Sequence, residues 1–564
     1  VTRPVLVGLW TVALLGAGWA VSRRSSPLRQ DVAAMVGGLP GFLWPFLGLI
    51  LLLALLPPIA FDALMYHLAL PEWLLQQGRL TPIPIAHFWN PGLVDYLNLW
   101  PLALGAESGA KILHAFWTLG ALLLVFHWTR EVFGSFPARY ALLLLLTMPS
   151  LPLLASWAYT DYALVFYVLA ALYALYRAHR AGSGNEGFVV LAGLAAGLAL
   201  SIKYTAMALP VAGVVSLLLG NHRTRWRSVG VFLLWTLGVA APWYVRNAVY
   251  MGNPVFPFFW GGRFWDAFLV AWYGRGGTGL GLRLGAWLWL PFRTVLAYGD
   301  LSYVDARIGP WWLILMPWVV FWWRRWGRRG PWAAFRKAVF PFVLLASFLW
   351  LFGVAWSSLL FQVRLLYPVL FPLAPALGFV VHGLRVWHGD RRIPWRRVTR
   401  GLMALSALVV FVEQTLSWVQ WDGPGFLVGQ VSRQAFYERR LPLYVEYLDL
   451  VHQAPAEARI LALYEARRYG ADRDLLPDTL LVHFPHALYR YGSVEAAVQA
   501  WADQGYTHLL VFRRGAELLF QADPTVYTQE QRQALDALQG LLPLVAESPS
   551  GAYALYLLPT GVEP

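Results

Sequence analysis

Long apolar runs broken by short arginine-rich stretches dominate the first 420 positions. The run LWPFLGLILLLALLPPIA gives way at once to FDALMYHLALPEW, and comparable switches recur down the chain. Runs of about 17–25 apolar residues are long enough to cross the ~30 Å hydrocarbon layer as helices. They predict about twelve spans: 4–21, 36–57, 110–128, 139–157, 161–177, 187–202, 204–219, 229–247, 310–323, 338–356, 365–386 and 400–420. After Trp421 the pattern changes to that of a soluble α/β domain. QAFYERRLPLYVEYLDLVHQ and QEQRQALDALQG have helical periodicity, and ARILALY, THLLVF and GAYALYLL read as strands. In GSVEAAVQAWADQG, Ser493 is placed to cap a helix and Gly505 to stop it.

Composition and charge sharpen this picture. The chain is 58% hydrophobic and 13% charged, against about 25% charged in soluble domains, so it is an integral membrane protein. The formal charge of +14 does not point to nucleic acid, because the arginines sit in short clusters between apolar runs rather than on one aromatic-laced face. Those clusters set the orientation. SRRSSPLR, TREVFGSFPAR, RAHR, HRTRWR, RRWGRRGPWAAFRK and RVWHGDRRIPWRRVTR are separated by two spans each. Lys and Arg stay on the cytoplasmic side, which puts loops 58–109 and 248–309 and the tail after 421 outside, in a multi-pass protein of the plasma membrane. The 4–21 span fits an uncleaved signal-anchor whose short VTRP lead points to an earlier natural start. Without cysteine there are no disulfides or Cys-ligated metals. No glycine-rich phosphate loop follows the C-terminal strands.

Three regions follow: an extra N-terminal span with a cytoplasmic linker (1–35), a membrane bundle (36–420) and an extracytoplasmic α/β domain (421–564). The polar groups left on the outer side are the chemical candidates. Asp62 lies where a span emerges, and an ionisable group at a membrane boundary is a functional candidate by default. Asp is also a favoured helix N-cap, and ALMYHLALPEWLLQQG is a helix that Asp62 would start; both roles stay open. Asp161, at the outer turn in AYTDYALVFY, has the same two readings. Lys203 is one of only three lysines (Lys111, Lys203, Lys337). It is suited either to a phosphate, as a point charge, or to snorkelling at the interface. Arg364, with Tyr367 one turn on, and Arg246 complete the outer cations. Tyr66, His67 and Glu72 follow Asp62, but His67 and Glu72 share a helix face poorly, and metal ligation needs at least three converging ligands. Acids beside fixed cations suit chemistry on an anionic lipid headgroup, with a carboxylate taking a proton and cations stabilising a leaving phosphate.

FDALMYHLALPEWLLQQGRL, NPGLVDYL, AYTDYALVFY, GLAAGLALSIKYTA, WYVRNAVYMGNPVFPF and QVRLLYPVLFP together resemble the GT-C class of integral membrane glycosyltransferases, which includes protein O-mannosyltransferases and lipid A aminoarabinose transferases. The resemblance covers about 30–420 as a layout. It implies a mainly α, polytopic bundle and transfer of a sugar from a polyprenyl-phosphate donor to a lipid, glycan or protein acceptor outside the cytoplasm, usually with inversion. It implies Asp62 as general base and Asp161 as a second acidic position. It places Lys203 and Arg364 at the donor phosphate, and Tyr367, Arg246, Tyr66 and His67 are the other substrate-binding candidates. Some members bind a divalent metal, for which Glu72, Asp95 and His67 are the candidates here. Asp62 departs from the class in lacking a directly following second acid. Two other functions compete: a lipid-linked sugar flippase, and a ligase or polymerase using a diphosphate-linked donor. Neither mid-membrane polar groups nor repeats support the flippase.

Overall fold

The computed structural model describes residues 37–182, 186–220, 225–274, 279–296, 306–323, 330–357, 360–384 and 394–559. The expected 4–21 span lies outside them, as do the arginine-rich stretches 22–29, 324–329 and 385–393. Among the described residues, six helices are long and apolar enough to cross a membrane: Glu107–Phe133, Asp161–Ala181, Arg225–Met251, Gly330–Trp356, Val363–Gly383 and Trp395–Gln420. Shorter apolar helices, Leu43–Ala54, Ser135–Leu146, Glu186–Leu200, Tyr204–Leu218 and Pro310–Val319, occupy the other predicted positions. The single run expected over 139–157 is broken. The helix ends at Leu146, and Pro149 and Pro152 lead into a separate short helix, Leu151–Ala155, because proline cannot donate the helical hydrogen bond.

The Asp161–Ala181 helix sits at the centre of the bundle. It packs against the Glu107–Phe133, Glu186–Leu200, Gly330–Trp356 and Tyr367–Gly383 helices. Against the Arg225–Met251 helix, the Glu186–Leu200 helix approaches so closely that a Cβ on Gly193 would lie 2.7 Å from the Phe232 carbonyl oxygen, and one on Gly197 2.6 Å from Val239 Cβ. The two glycines are four apart, the small-residue spacing by which membrane helices bring their backbones together.

Beyond Trp421 the chain forms the α/β part. Its five-stranded sheet comprises β1 (Arg459–Leu463), β2 (Asp474–Leu476), β3 (His508–Phe512), β4 (Leu544–Glu547) and β5 (Tyr553–Leu557) in the order β2-β1-β3-β5-β4. β1 is parallel to β2 and β3, whereas β5 is antiparallel to β3 and β4. The three strands read from the sequence are β1, β3 and β5. Ser493 caps the Val494–Asp503 helix through the Ala496 N–H, and Gly505 follows with φ +84°. The helical stretch expected over 434–453 is two helices, Arg433–Arg440 and Pro442–Gln453, parted where Pro442 starts the second.

Candidate active site

The Leu43–Ala54 helix stops short of Pro57 and Pro58, which disfavour helix in and before their positions. The chain resumes helical geometry at Phe61 and passes beyond Asp62 into a π-helical turn, Ala63–His67, closed by the Leu68 N–H donating to the Ala63 carbonyl at 2.9 Å. Such turns are rare and concentrate at functional sites. Neighbouring side chains on this turn find different partners. The Tyr66 hydroxyl donates to Asp62 Oδ2 at 3.2 Å, while His67 Nδ1 pairs with Asp95 Oδ1 at 2.7 Å. Asp62 does not cap the turn. Its Oδ2 instead accepts from Arg364 Nη2 at 2.6 Å.

Arg364 comes from a 3-10 turn, Val363–Leu366, at the start of the Tyr367–Gly383 helix. Gln362 Oε1 accepts from its Nη2 at 3.0 Å, and its guanidinium lies 4.9 Å from the centroid of the Tyr159 ring. The Tyr159 hydroxyl in turn accepts from the Asp62 backbone N–H at 3.4 Å. Two residues on, Asp161 opens its helix without a side-chain capping bond and pairs through Oδ1 with Lys203 Nζ at 3.0 Å. Lys203 lies in extended backbone between helices, so its side chain turns in to Asp161 rather than following a helix surface. Behind this turn, His114 takes the Tyr162 N–H on Nε2 (3.0 Å) and donates from Nδ1 to the Trp157 carbonyl (2.9 Å).

The structure therefore brings Asp62, Arg364, Asp161 and Lys203 together from four separate segments as two ion pairs flanking Tyr159. Each pair feels the other: Lys203 acts on Asp62, and Arg364 on Asp161. Burial opposes ionisation of Asp62, but Arg364, with His67 and Lys203, holds its carboxyl below the usual carboxylate range. Burial and the Asp62 charge push the Tyr66 and Tyr159 hydroxyls up, which keeps both protonated. Exposure separates the two acids. The Asp62 side chain is 17% exposed and that of Asp161 3%, so Asp62 is the more accessible of the two.

Other expected residues lie elsewhere. Arg246 Nη2 donates to the Trp89 and Asn90 carbonyls, both at 2.9 Å, and its Nη1 to the Tyr96 hydroxyl at 3.3 Å. With Asn247 on the Trp89 carbonyl at 2.7 Å, it clips the 86–98 loop to the bundle. Tyr367 is buried against Tyr162, ring centroids 5.7 Å apart. The three candidate metal ligands do not converge. His67 and Asp95 pair with each other, whereas both Glu72 oxygens accept from the Gly470 N–H. Among the described residues no group of three His, Cys, Asp or Glu is placed to hold a metal ion. Tyr159 and Gln362 carry no signal in the sequence beyond a place two residues before Asp161 and Arg364.

A groove of about 300 Å³ is lined by Leu164, Val168, Tyr204, Leu349, Trp350 and Leu365 among others. Tyr204 and Leu365 are the chain neighbours of Lys203 and Arg364.

This architecture is the GT-C fold of membrane glycosyltransferases, as the sequence resemblance implied. Residues 101–245 match the model of the dolichyl-phosphate-mannose-protein mannosyltransferase family. The chain superposes on apo ArnT from Cupriavidus metallidurans with a TM-score of 0.54 and 15% identity, covering 96% of this chain and 100% of that one. The same protein bound to undecaprenyl phosphate gives 0.52 and 14%, covering 93% and 99%. The Archaeoglobus fulgidus oligosaccharyltransferase in complex with zinc and sulfate gives 0.49 and 15%, covering 91% and 72%. No curated protein matches the sequence.

Proposed function

We propose that this chain is a glycosyltransferase of the plasma membrane. It transfers a sugar from a polyprenyl-phosphate donor to a hydroxyl or amine of a lipid, glycan or protein acceptor on the extracytoplasmic side. The observation that carries this reading is the pair of acid–cation couples, Asp62–Arg364 and Asp161–Lys203, whose cations are chain neighbours of two residues, Leu365 and Tyr204, that line an apolar groove. An isoprenoid tail suits the groove, and its phosphate then lies at Lys203 and Arg364. That ArnT, of similar fold, has been seen with undecaprenyl phosphate bound supports a polyprenyl-phosphate ligand.

In this reading Asp62 takes the proton from the acceptor nucleophile. The acceptor attacks the anomeric carbon from the face opposite the phosphate, the carbon–oxygen bond to phosphate breaks, and polyprenyl phosphate leaves with the electron pair. Inversion follows from one displacement. Lys203 and Arg364 stabilise the charge that grows on the phosphate. Asp161, buried under Lys203, holds the ammonium in place. Proteoliposomes supplied with radiolabelled polyprenyl-phosphate hexoses and pentoses test the reaction: label passes to an acceptor from a monophosphate donor. Label that only changes leaflet, or moves only from a diphosphate donor, contradicts it.

The pH dependence has a definite sign. A base held below the usual carboxylate range stays ionised in mild acid. Arg364→Gln removes the strongest influence lowering Asp62 and leaves burial, which raises it. The acidic limb of kcat/KM for Arg364→Gln therefore moves to higher pH than in the parent. An unmoved limb means that Asp62 is not the group titrating there. Orientation is tested separately: a cysteine replacing exposed Glu457 in this cysteine-free chain reacts with a membrane-impermeant maleimide added to intact spheroplasts. Labelling only after lysis reverses the topology.

A further inference from the structure

The turn that carries Asp62 is gripped from outside the bundle. The segment 464–471, which follows β1 in the C-terminal domain, crosses to the outer loop of the membrane part. Its Arg468 and Tyr469 N–H groups both donate to the Leu64 carbonyl, at 3.1 and 3.0 Å, and Leu64 is two residues from Asp62. One helix on, in Ala69–Gln77, Glu72 accepts the Gly470 N–H on both oxygens at 3.1 and 3.0 Å. Gln76 bridges the same contact. Its Oε1 accepts from Arg468 Nη2 at 2.9 Å and its Nε2 donates to the Ala471 carbonyl at 3.2 Å. Tyr469 adds a bond to Glu107 Oε2 at 2.9 Å.

The loop is stiffened from behind. Tyr444 donates to the Tyr469 carbonyl and Tyr447 to the Arg467 carbonyl, the second at 2.9 Å. Glu465 is held by Arg467 at 2.7 Å and by the Tyr553 hydroxyl on β5 at 2.6 Å. Gly470 takes φ +81°, with a Cβ position 3.3 Å from the Tyr444 hydroxyl, so the backbone there turns in a way that other residues resist.

Arg468 is the unusual member. It is 1% exposed, and its Nε and Nη1 find no hydrogen-bond partner among the described residues; the Glu72 carboxylate lies 3.8 Å from Nη1. Burying a guanidinium with unmet donors lowers stability, so stability alone does not account for its place. We propose that the 464–471 loop is a clasp through which the C-terminal domain fixes the reaction turn, with Arg468 as the positioning residue that keeps Asp62 aligned with Arg364. This rests on Asp62 being the base. It gives the C-terminal domain an indirect, positioning part in catalysis through its hold on Leu64, without contact with the reacting atoms.

The test uses the full chain in nanodiscs, reading hydrogen exchange of residues 63–68 and steady-state kinetics with a polyprenyl-phosphate donor. Arg468→Ala is expected to speed exchange of that turn and lower kcat by about 10- to 100-fold, the scale of a ~1 Å misplacement, with the donor KM changed less than about twofold. Arg468→Lys recovers part of kcat. Gln76→Ala, at an exposed position that leaves the core intact, gives the same direction with smaller amplitude and serves if Arg468→Ala does not fold. Unchanged exchange in both variants overturns the clasp, as does a kcat per folded molecule equal to the parent's. If the parent transfers no sugar, the functional reading fails, and exchange alone then decides the clasp.

Discussion

Asp62→Asn is expected to lower sugar transfer by about 10²- to 10⁴-fold, the usual contribution of a positioned general base, while the protein still folds and binds its donor. Asparagine keeps the size of the side chain and an oxygen to accept from Arg364 Nη2, which now sits 2.6 Å from Oδ2. What it loses is the capacity to take a proton. Oδ2 already accepts from both Arg364 and Tyr66, so in the proposed reaction Oδ1 is the oxygen that takes the proton. Transfer from a labelled polyprenyl-phosphate donor in proteoliposomes reads the result. Activity equal to the parent's removes Asp62 from the role of base. The same change at Asp161, far less exposed, acts through Lys203 and is expected to raise the donor KM more than it lowers kcat.

The second large effect lies at Lys203. Its ammonium is the direct ion-pair partner of a carboxylate whose side chain is 3% exposed. Removing one member of a buried pair costs about 3–5 kcal/mol, because the other charge is left uncompensated. Lys203→Met is therefore expected to lower thermal stability sharply and to abolish donor binding. Adding Asp161→Asn removes the stranded charge and should restore much of the stability but none of the binding. That asymmetry separates the structural part of the pair from its part at the phosphate. Recovery of binding in the double variant would show that the phosphate does not depend on Lys203.

The sequence marked the individual charged residues well and their partners poorly. Asp62, Asp161, Lys203 and Arg364 each stand out because an ionisable group among apolar residues is costly. Their pairing is a property of the folded bundle: Asp62 and Arg364 are 302 positions apart, Asp161 and Lys203 42. Tyr159 was hidden for another reason. With 26 tyrosines in the chain, an aromatic beside an acid carries little information until its hydroxyl is seen against the Asp62 amide. Arg246 looked equivalent to Arg364 in sequence, yet loop carbonyls take its donors. His67 and Glu72 diverge because the π-turn and the following helix direct one to Asp95 and the other to the C-terminal domain. There the long strands were legible from their apolar runs, whereas β2, three residues long, gives no alternation to read.

The most direct test of the account is lipid binding, which needs no knowledge of the sugar. Purified protein in nanodiscs is titrated with undecaprenyl phosphate and with undecaprenol, for the parent and for a Lys203→Met, Arg364→Gln double variant. The parent should bind the phosphate at least about tenfold more tightly than the alcohol, a difference of ~1.4 kcal/mol, and the double variant should lose that preference. Equal binding of the two lipids by the parent, or a preference that survives in the double variant, contradicts a phosphate held between these two cations.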